Sequence, residues 1–303
     1  YTTKYETEIL AEEQREGYRA KKLCFNLTGY SRVNAYVLIP DGEGPFPAVV
    51  LLHDHGGHYT IGKEKMIRPF GVDKAVLDDA DAWAANCYGG QYAGDYLAAH
   101  GYVVISVDAL YWGERGRKEG ADGSKYADNA GNFMMLGRSL SAFMNYEDMY
   151  TTDYLATLPE VDPKRIACMG FSMGGYRAWM LSALSDKIQV GAAICWMTTT
   201  DCQFSWEYGR ERGGFANMLP GIRRYLDYPH IASIACPKPM LFLNGEHDKL
   251  FPPIGVRAAF AEMHEVWESR SAGDKLVTEL WDMPHDCGKK VQAKILDFLN
   301  KWL

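Results

Sequence analysis

The residues with the clearest chemical meaning surround Ser172, in the run Gly-Phe-Ser-Met-Gly-Gly at 170–175. This run follows the apolar segment 165–169 and precedes a helical pattern at 176–184. A serine on a tight strand-to-helix turn has its hydroxyl lifted clear of the sheet, and the flanking glycines let the chain turn without a Cβ clash. The sequence therefore predicts a nucleophilic serine that attacks a carbonyl carbon.

A serine nucleophile needs a base to take its proton and a carboxylate to orient that base. Asp248 and His285 each follow a predicted strand, which places both on the rim that carries Ser172. They also come in the order serine, acid, histidine that this type of elbow requires. Asp248 is favoured as the acid by its position, with Asp201 as the alternative. Asp108, at the end of another strand, is a further alternative acid, but it is expected to order its own loop.

Attack on a carbonyl places negative charge on its oxygen, and two backbone N–H groups are expected to stabilise that charge. One is the amide of Met173, at the start of a helix whose N-terminus favours negative charge. The other is expected from the run His-Asp-His-Gly-Gly at 53–57, with the amide of His55 as the favoured donor. Glycines in this run let the backbone approach a ligand closely.

The same region has the histidine spacing of a dizinc hydrolase, in which a metal activates the attacking water. His53, His55 and His58 would then be the ligands. Gly57, however, stands where that motif has a metal-binding aspartate, and a metal mechanism leaves Ser172 without a role. We therefore expect no metal. A third alternative, a binding domain without activity, is disfavoured because the three predicted catalytic residues are all present.

The elements that must hold these residues alternate between strands and helices from Tyr18 onward, which is typical of a mostly parallel α/β sheet covered on both faces. An opening strand pair is predicted at 18–26 and 32–39. The central parallel strands are predicted at 47–52, 102–108, 165–169, 190–196, 239–244 and 276–281. Helices are predicted at 92–100, 141–158, 176–184, 254–269 and 288–303. The acidic segment 5–17 is expected to form a helix against the body or a partner subunit.

The sequence predicts a single domain over 1–303, with an N-terminal extension at 1–17. Two segments of this domain, 59–90 and 198–233, interrupt the alternation of strands and helices. Both follow predicted parallel strands, where insertions surround the binding crevice, so we expect them to shape the substrate pocket. Aromatic and polar side chains near the ends of the predicted strands could also contact a substrate in this pocket. The predicted contacts are Trp112, Glu114, Arg115, Trp196 and Trp206. The alternatives are core or lid packing for the tryptophans and mutual pairing of the glutamate and arginine.

The composition argues against two kinds of partner. The chain has 303 residues, 47% of them hydrophobic, and a formal net charge of -7. An acidic chain without a basic stretch does not favour nucleic acid, and apolar runs such as 48–52 are too short to span a membrane. The cysteines are scattered singly, which favours a reducing, cytoplasmic compartment. A start at Tyr1 rather than Met also fits a removed signal peptide and export.

On these motifs the chain resembles the dienelactone hydrolase-like branch of the α/β-hydrolases, and within it the acetyl xylan esterase-like proteins. The resemblance runs from about Arg32 to the C-terminus. Its carriers are the runs at 52–57, 108–115, 161–166, 170–175 and 244–252. The resemblance implies an α/β-hydrolase fold and a serine carboxylesterase without a cofactor. It also implies a small-molecule or carbohydrate ester as substrate, with acyl esters of carbohydrates favoured.

Two departures bear on the substrate that the resemblance implies. Dienelactone hydrolases have a cysteine nucleophile where this chain has Ser172, which argues against that kind of lactone hydrolysis. Glucuronoyl esterases place an arginine directly after the nucleophile, where this chain has Met173, which weakens the case for a uronic acid ester. An acetyl ester is the favoured substrate, and glucuronoyl or feruloyl esters on the same triad are the alternatives. The sequence does not indicate an oligomeric state.

Overall fold

The computed structural model describes residues 4–116, 122–204 and 214–303. Within these residues a 9-stranded sheet has the order β1-β2-β3-β5-β4-β6-β7-β8-β9. Its strands are β1 Glu8–Arg15, β2 Tyr18–Asn26, β3 Arg32–Pro40, β4 Phe46–Leu52, β5 Val103–Val107, β6 Val161–Phe171, β7 Ile188–Ile194, β8 Met240–Gly245 and β9 Leu276–Trp281. The helices are α1 Lys74–Cys87, α2 Ala93–Ala98, α3 Gly123–Met135, α4 Leu140–Leu155, α5 Met173–Leu184, α6 Thr200–Gln203, α7 Tyr228–Ala232, α8 Pro253–Ser269 and α9 Lys289–Trp302.

The sheet has an antiparallel part and a parallel part. β1, β2, β3 and β5 pair antiparallel in that order. From β5 through β4 to β9 every neighbouring pair is parallel. The predicted opening strand pair, the predicted central strands and the α/β-hydrolase class are confirmed, and the ends of the elements differ from the prediction by a few residues. Parallel strands end at a common edge, so this order brings the loops after β4, β6, β8 and β9 to one side.

Both faces of the sheet are buried, which explains why its central strands have continuous apolar sequences. In β4, Val49 and Leu51 pack into one hydrophobic cluster, which α2 and α9 cover. Their neighbours Val50 and Leu52 pack into a second cluster, on the face covered by α4 and α5. Alternate residues of one strand therefore support opposite faces, and the position at which the strand ends is held from both sides.

The expected helix over the acidic segment 5–17 is wrong, because this segment forms β1. In this strand Glu12 lies opposite Lys21 of β2 and pairs with it across the ladder, with Oε1 3.7 Å from Nζ. Gly17 has φ 82°, a left-handed conformation that glycine adopts without strain and that suits the tight turn between the two strands. Complementary charges and a glycine turn thus favour a hairpin over a helix.

The two predicted insertions contain short elements of their own. Segment 59–90 holds a 3-10 turn at Lys63–Lys65 followed by α1, and segment 198–233 holds α6 and α7, with its residues 205–213 outside the described part. The structure also has α3, which the sequence analysis did not predict, capped by the Asp122 side chain that accepts from the Lys125 N–H. Among the described helices, none has the length and apolar composition that a bilayer span requires.

Candidate active site

Ser172 lies at the junction of β6 and α5 in a strained backbone conformation, with φ 54° and ψ -123°. A positive φ is costly for a residue that has a Cβ, and such strain is concentrated at functional sites. The Ser172 N–H donates to Ile194 O at 2.8 Å, which ties the turn to the end of β7. The backbone of the turn that carries Ser172 is therefore fixed relative to β7.

Helix α5 packs directly against the end of β4 because Gly174 has no side chain. A Cβ on Gly174 would lie 1.7 Å from Leu52 O. Gly170 is restricted in the same way, because a Cβ there would collide with the backbone of Gly174. These two glycines bring the N-terminus of α5 beside the loop that follows β4, which is where an oxyanion hole of this type is formed.

Asp248 and His285 lie on the loops after β8 and β9 and are hydrogen-bonded to each other. Nδ1 of His285 is 2.6 Å from Oδ2 of Asp248. Since a carboxylate only accepts, Nδ1 carries the proton and Nε2 is left with a free lone pair. The other oxygen, Oδ1, accepts the Leu250 N–H at 2.8 Å, so both carboxylate oxygens are engaged. The Asp248 side chain is fully buried, which favours a fixed orientation of the imidazole.

Ser172 and His285 open into the same cavity, whose volume is about 490 Å³. Aromatic side chains and residues of the loop after β4 form part of the wall. The lining residues include His55, Gly56, Tyr126, Met173, Trp196, Phe215, Phe251 and His285. A concave site with aromatic walls and a few polar groups is typical of small-molecule binding.

The two amides predicted to form an oxyanion hole both belong to residues that line this cavity. Met173 is the first residue of α5, and the first N–H groups of a helix have no partner within it. His55 belongs to the loop after β4. Nδ1 of His55 accepts the Gly57 N–H at 3.0 Å. Burial, reinforced by the charge of Lys65, lowers the pKa of His55 to about 4, so this ring is neutral at pH 7.

The other two histidines of the predicted metal motif face different partners. Nε2 of His53 accepts the Ala109 N–H at 2.9 Å, so its Nδ1 donates to Asp54 O, also at 2.9 Å. Burial lowers the pKa of His53 well below its usual value, which agrees with a neutral ring. His58 lies with Nε2 2.7 Å from Oδ1 of Asp79. The structure therefore does not bring His53, His55 and His58 together as ligands of one metal ion.

In the described part of the chain, two other groups have three potential metal-ligand atoms within 4.8 Å of one another. They are Cys195, Asp248 and His285, and Glu64, Asp108 and Glu114. In the first group, the imidazole and the carboxylate are already joined by their hydrogen bond. In the second, Nζ of Lys63 lies within 2.8 Å of all three carboxylates and balances much of their charge. Neither group resembles an open metal site.

The two alternative acids have other partners. Asp108 accepts from the backbone N–H and from Nζ of Lys63, at 2.7 and 2.8 Å, and from the Glu114 N–H at 3.1 Å. It thus orders the loop that follows it. Asp201 is largely exposed and pairs with Arg223 at 2.8 Å. Asp248 is the carboxylate that the structure brings to His285.

The predicted tryptophan contacts have different outcomes. Trp196 is buried and lines the cavity. Trp112 is also buried, but it does not belong to the lining, and its indole N–H donates to His55 O at 3.3 Å. It therefore supports the loop after β4 from behind. Trp206 lies outside the described residues.

Glu114 and Arg115 neither line the cavity nor pair with each other. Glu114 accepts from Nζ of Lys22 at 2.8 Å and from Nζ of Lys63 at 2.6 Å. Arg115 forms two parallel hydrogen bonds of 2.7 Å to the Glu147 carboxylate, whose side chain is almost fully buried. The structure therefore places both residues outside the cavity lining, where they connect the loop after β5 to neighbouring elements.

Three aromatic residues of the cavity wall, Tyr126, Phe215 and Phe251, were missed by the sequence analysis. Tyr126 lies on α3, and its hydroxyl accepts the Ala216 N–H at 2.6 Å, which fixes the wall segment after residue 213. An aromatic residue in an amphipathic helix usually packs in the core, so no sequence signal distinguishes Tyr126.

The sequence model of the Abhydrolase family matches residues 2–270. The chain belongs to the Abhydrolase family. YtaP of Bacillus subtilis (strain 168), named as a candidate hydrolase, is 29% identical to this Abhydrolase family chain over 297 residues, which cover 98% of the chain and 92% of YtaP.

Solved structures confirm the fold of this Abhydrolase family member. A candidate acetyl xylan esterase from Bacteroides fragilis has a TM-score of 0.73 at 20% identity, covering 91% of this chain and 69% of that one. A glucuronoyl esterase from Solibacter usitatus has a TM-score of 0.66 at 15% identity, with 99% and 86% covered. Acetyl xylan esterase 1 from Thermoanaerobacterium sp. has a TM-score of 0.60 at 16% identity, with 99% and 89% covered. Identities this low establish the shared fold and not the substrate.

Proposed function

We propose that this Abhydrolase family member is a serine carboxylic ester hydrolase that acts by two-step acyl transfer, with Ser172, His285 and Asp248 as its triad. The observation that carries the proposal is the strained Ser172 elbow, which opens into the same cavity as an imidazole already oriented by a buried carboxylate. The free Nε2 of that imidazole is the atom that a serine hydroxyl requires as a proton acceptor.

In the first step, Nε2 of His285 takes the hydroxyl proton while Oγ of Ser172 forms a bond to the ester carbonyl carbon. The carbonyl electron pair moves to its oxygen, which the amides of Met173 and His55 hold. When the carbonyl re-forms, the bond to the alcohol oxygen breaks and His285 returns the proton to the leaving alcohol. The product of this step is an acyl-enzyme on Ser172.

In the second step, water takes the place of the alcohol. His285 removes a proton from the water, whose oxygen attacks the acyl carbon, and the same two amides hold the oxyanion again. Collapse of this intermediate breaks the bond to Oγ and returns the proton to Ser172. Asp248 accepts the Nδ1 hydrogen bond throughout and stabilises the imidazolium that forms twice in each cycle.

For the substrate we propose an acyl ester of a carbohydrate, with acetyl favoured. The aromatic walls formed by Tyr126, Trp196 and Phe215 support this, because flat aromatic faces suit sugar rings. The similar solved structures include proteins named as acetyl xylan and glucuronoyl esterases. Met173 occupies the position after the nucleophile, so that position offers no positive charge to a uronic acid.

The test is hydrolysis of nitrophenyl acetate by the wild type and by Ser172→Ala, each with and without a metal chelator. We expect wild-type activity to survive chelation and the variant to lose roughly four to six orders of magnitude, because triad members act as a unit. Activity that the chelator abolishes and the variant retains would contradict the proposal. An inactive wild type would favour a binding domain.

A panel of acetylated xylo-oligosaccharides, a methyl ester of glucuronic acid and methyl ferulate then tests the substrate class. We expect the highest kcat/KM for the acetylated sugars. A preference for the uronate or ferulate ester would keep the triad but replace the substrate. Acetic acid release measures hydrolysis of the acetylated sugars, and methanol release measures hydrolysis of the two methyl esters.

A further inference from the structure

Lys65, in the first insertion, is a fully buried cation whose ammonium group contacts the loop after β4. Nζ lies 3.0 Å from Asp54 O, 3.0 Å from His55 O and 3.4 Å from Oδ1 of Asp54. The ring of Trp83 faces it, with the centroid 4.9 Å away. The three ammonium hydrogens are therefore directed to two consecutive backbone carbonyls and one carboxylate of the same loop.

These contacts fix the orientation of two peptide groups. In a trans peptide the carbonyl and the next N–H share a plane and point in opposite directions. Lys65 holds the carbonyls of Asp54 and His55, so the N–H groups of His55 and Gly56 point away from it. Within the described residues, neither N–H has a hydrogen-bond partner, and both residues line the cavity of Ser172.

We propose that Lys65 is a positioning residue that orients and polarises the His55 amide of the oxyanion hole. The inference rests on the proposed esterase function. A cation at the Asp54 carbonyl draws electron density through that peptide, and its N–H becomes a stronger donor to a developing oxyanion. Lys65 acts only through the peptide group and does not touch the substrate.

The rest of the loop is held in a way that makes this effect separable from folding. The second carboxylate oxygen of Asp54 accepts from the Tyr88 hydroxyl at 2.7 Å and from the Trp83 indole at 3.2 Å. The carbonyl of His55 keeps a neutral donor, the Trp112 indole. Replacing Lys65 therefore leaves the loop after β4 attached to α1 and to the loop after β5. What is lost is the positive charge of Lys65 at the carbonyls of Asp54 and His55.

Lys63 provides a matched control two residues earlier. It lies on the same 3-10 turn, is equally buried, and has its Nζ among the carboxylates of Glu64, Asp108 and Glu114. It makes no described hydrogen bond to the carbonyls that Lys65 holds. Loss of Lys63 removes a buried cation of the same kind without removing the charge from the Asp54 peptide.

The experiment compares the wild type with Lys65→Met, Lys65→Arg and Lys63→Met. For each protein, kcat and KM for nitrophenyl acetate, the Ki of an aliphatic boronic acid and the thermal unfolding midpoint are measured. The boronate forms a tetrahedral adduct with the serine and places an oxygen in the oxyanion hole. We expect Lys65→Met to lower kcat by about 10- to 100-fold with KM within about twofold.

The boronate affinity of Lys65→Met is expected to fall by the same factor as kcat, because both depend on the oxyanion. Lys65→Arg, which keeps a charged donor, should recover most of both quantities. Lys63→Met should lower the unfolding midpoint without a parallel loss of kcat and boronate affinity. If Lys65→Met is too unstable to assay, Lys65→Gln, which keeps polar donors but has no charge, replaces it and should lower kcat and boronate affinity by equal factors.

The inference is overturned if Lys65→Met lowers the unfolding midpoint but keeps wild-type kcat and boronate affinity in the folded protein. It is also overturned if kcat and boronate affinity change independently in the Lys65 variants. A wild-type protein that hydrolyses no ester and binds no boronate would instead refute the esterase proposal, since Ser172→Ala would then change nothing either.

Discussion

The close packing of α5 on β4 makes the effect of Gly174→Ala calculable. The added Cβ would lie 1.7 Å from Leu52 O, 2.6 Å from Leu52 C and 3.0 Å from His53 O. An ordinary contact needs about 3.4 Å, so the helix and the strand end must separate by roughly 1.7 Å. All three of these atoms belong to backbone, which cannot rotate away as a side chain would.

This separation moves the Met173 amide away from the loop that carries the His55 amide. A displacement of about 1 Å at a reacting group costs about 10²-fold in rate, so we expect kcat/KM for nitrophenyl acetate to fall by at least that factor. Stability should fall by about 1–3 kcal/mol, as for an overpacked core. Urea unfolding followed by circular dichroism measures the second quantity independently of any substrate.

Gly131→Ala is the matched control, because Gly131 lies within α3 and a Cβ there would have no neighbour within 4 Å. We expect it to raise the free energy of unfolding by about 0.5–1 kcal/mol and to leave kcat/KM unchanged. If Gly174→Ala kept both wild-type activity and wild-type stability, the packing argument for the elbow would be refuted.

Two further predictions concern carboxylates. Asp248→Asn should lower kcat for nitrophenyl acetate by about 10⁴-fold, because the amide cannot hold the His285 tautomer in the same way. Asp201→Asn, which changes an exposed carboxylate, should leave kcat unchanged. Equal losses of kcat in the two variants would mean that Asp248 is not the acid. Burial raises the pKa of the Glu114 carboxyl group, but the positive charges of Lys63 and Lys22 outweigh this effect and lower that pKa from 4.5 to about 2. The ionised Glu114 therefore stabilises the fold above about pH 4.5, and this contribution is lost as the pH falls towards 2. In urea unfolding, the stability difference between wild type and Glu114→Gln should shrink over that pH range. A difference that stays constant would contradict the lowered pKa of Glu114.

The parts of this molecule that could be predicted from sequence are those governed by local pattern. Buried parallel strands are continuous apolar runs, so the central sheet could be located, and chemistry at strand ends follows from the sheet order. The positions of Ser172, Asp248 and His285 were predicted in this way, and the structure places Asp248 against His285. Their catalytic roles stay a prediction until the assays are done.

What could not be predicted depends on partners distant in sequence. Lys63 and Lys65 lie in a charged run that is typical of a solvated surface, yet both are fully buried because Asp54 and Asp108 arrive from two different strand ends. The acidic N-terminal segment forms a strand because β2 offers a complementary edge. No local pattern contains this information.

The position of His285 has a consequence for how the protein would lose activity. Ser172 follows β6, which has a neighbour on each side, whereas His285 follows β9, which in the described sheet pairs with β8 alone. Most of β9 is half-buried, and elements with fewer backbone hydrogen bonds open at lower free energy than central ones. The proposed nucleophile and its base therefore rest on parts of the sheet with unequal resistance to local unfolding. On heating, the working lifetime of the catalyst would be governed by opening of this edge, and inactivation would precede the cooperative melting of the rest of the molecule.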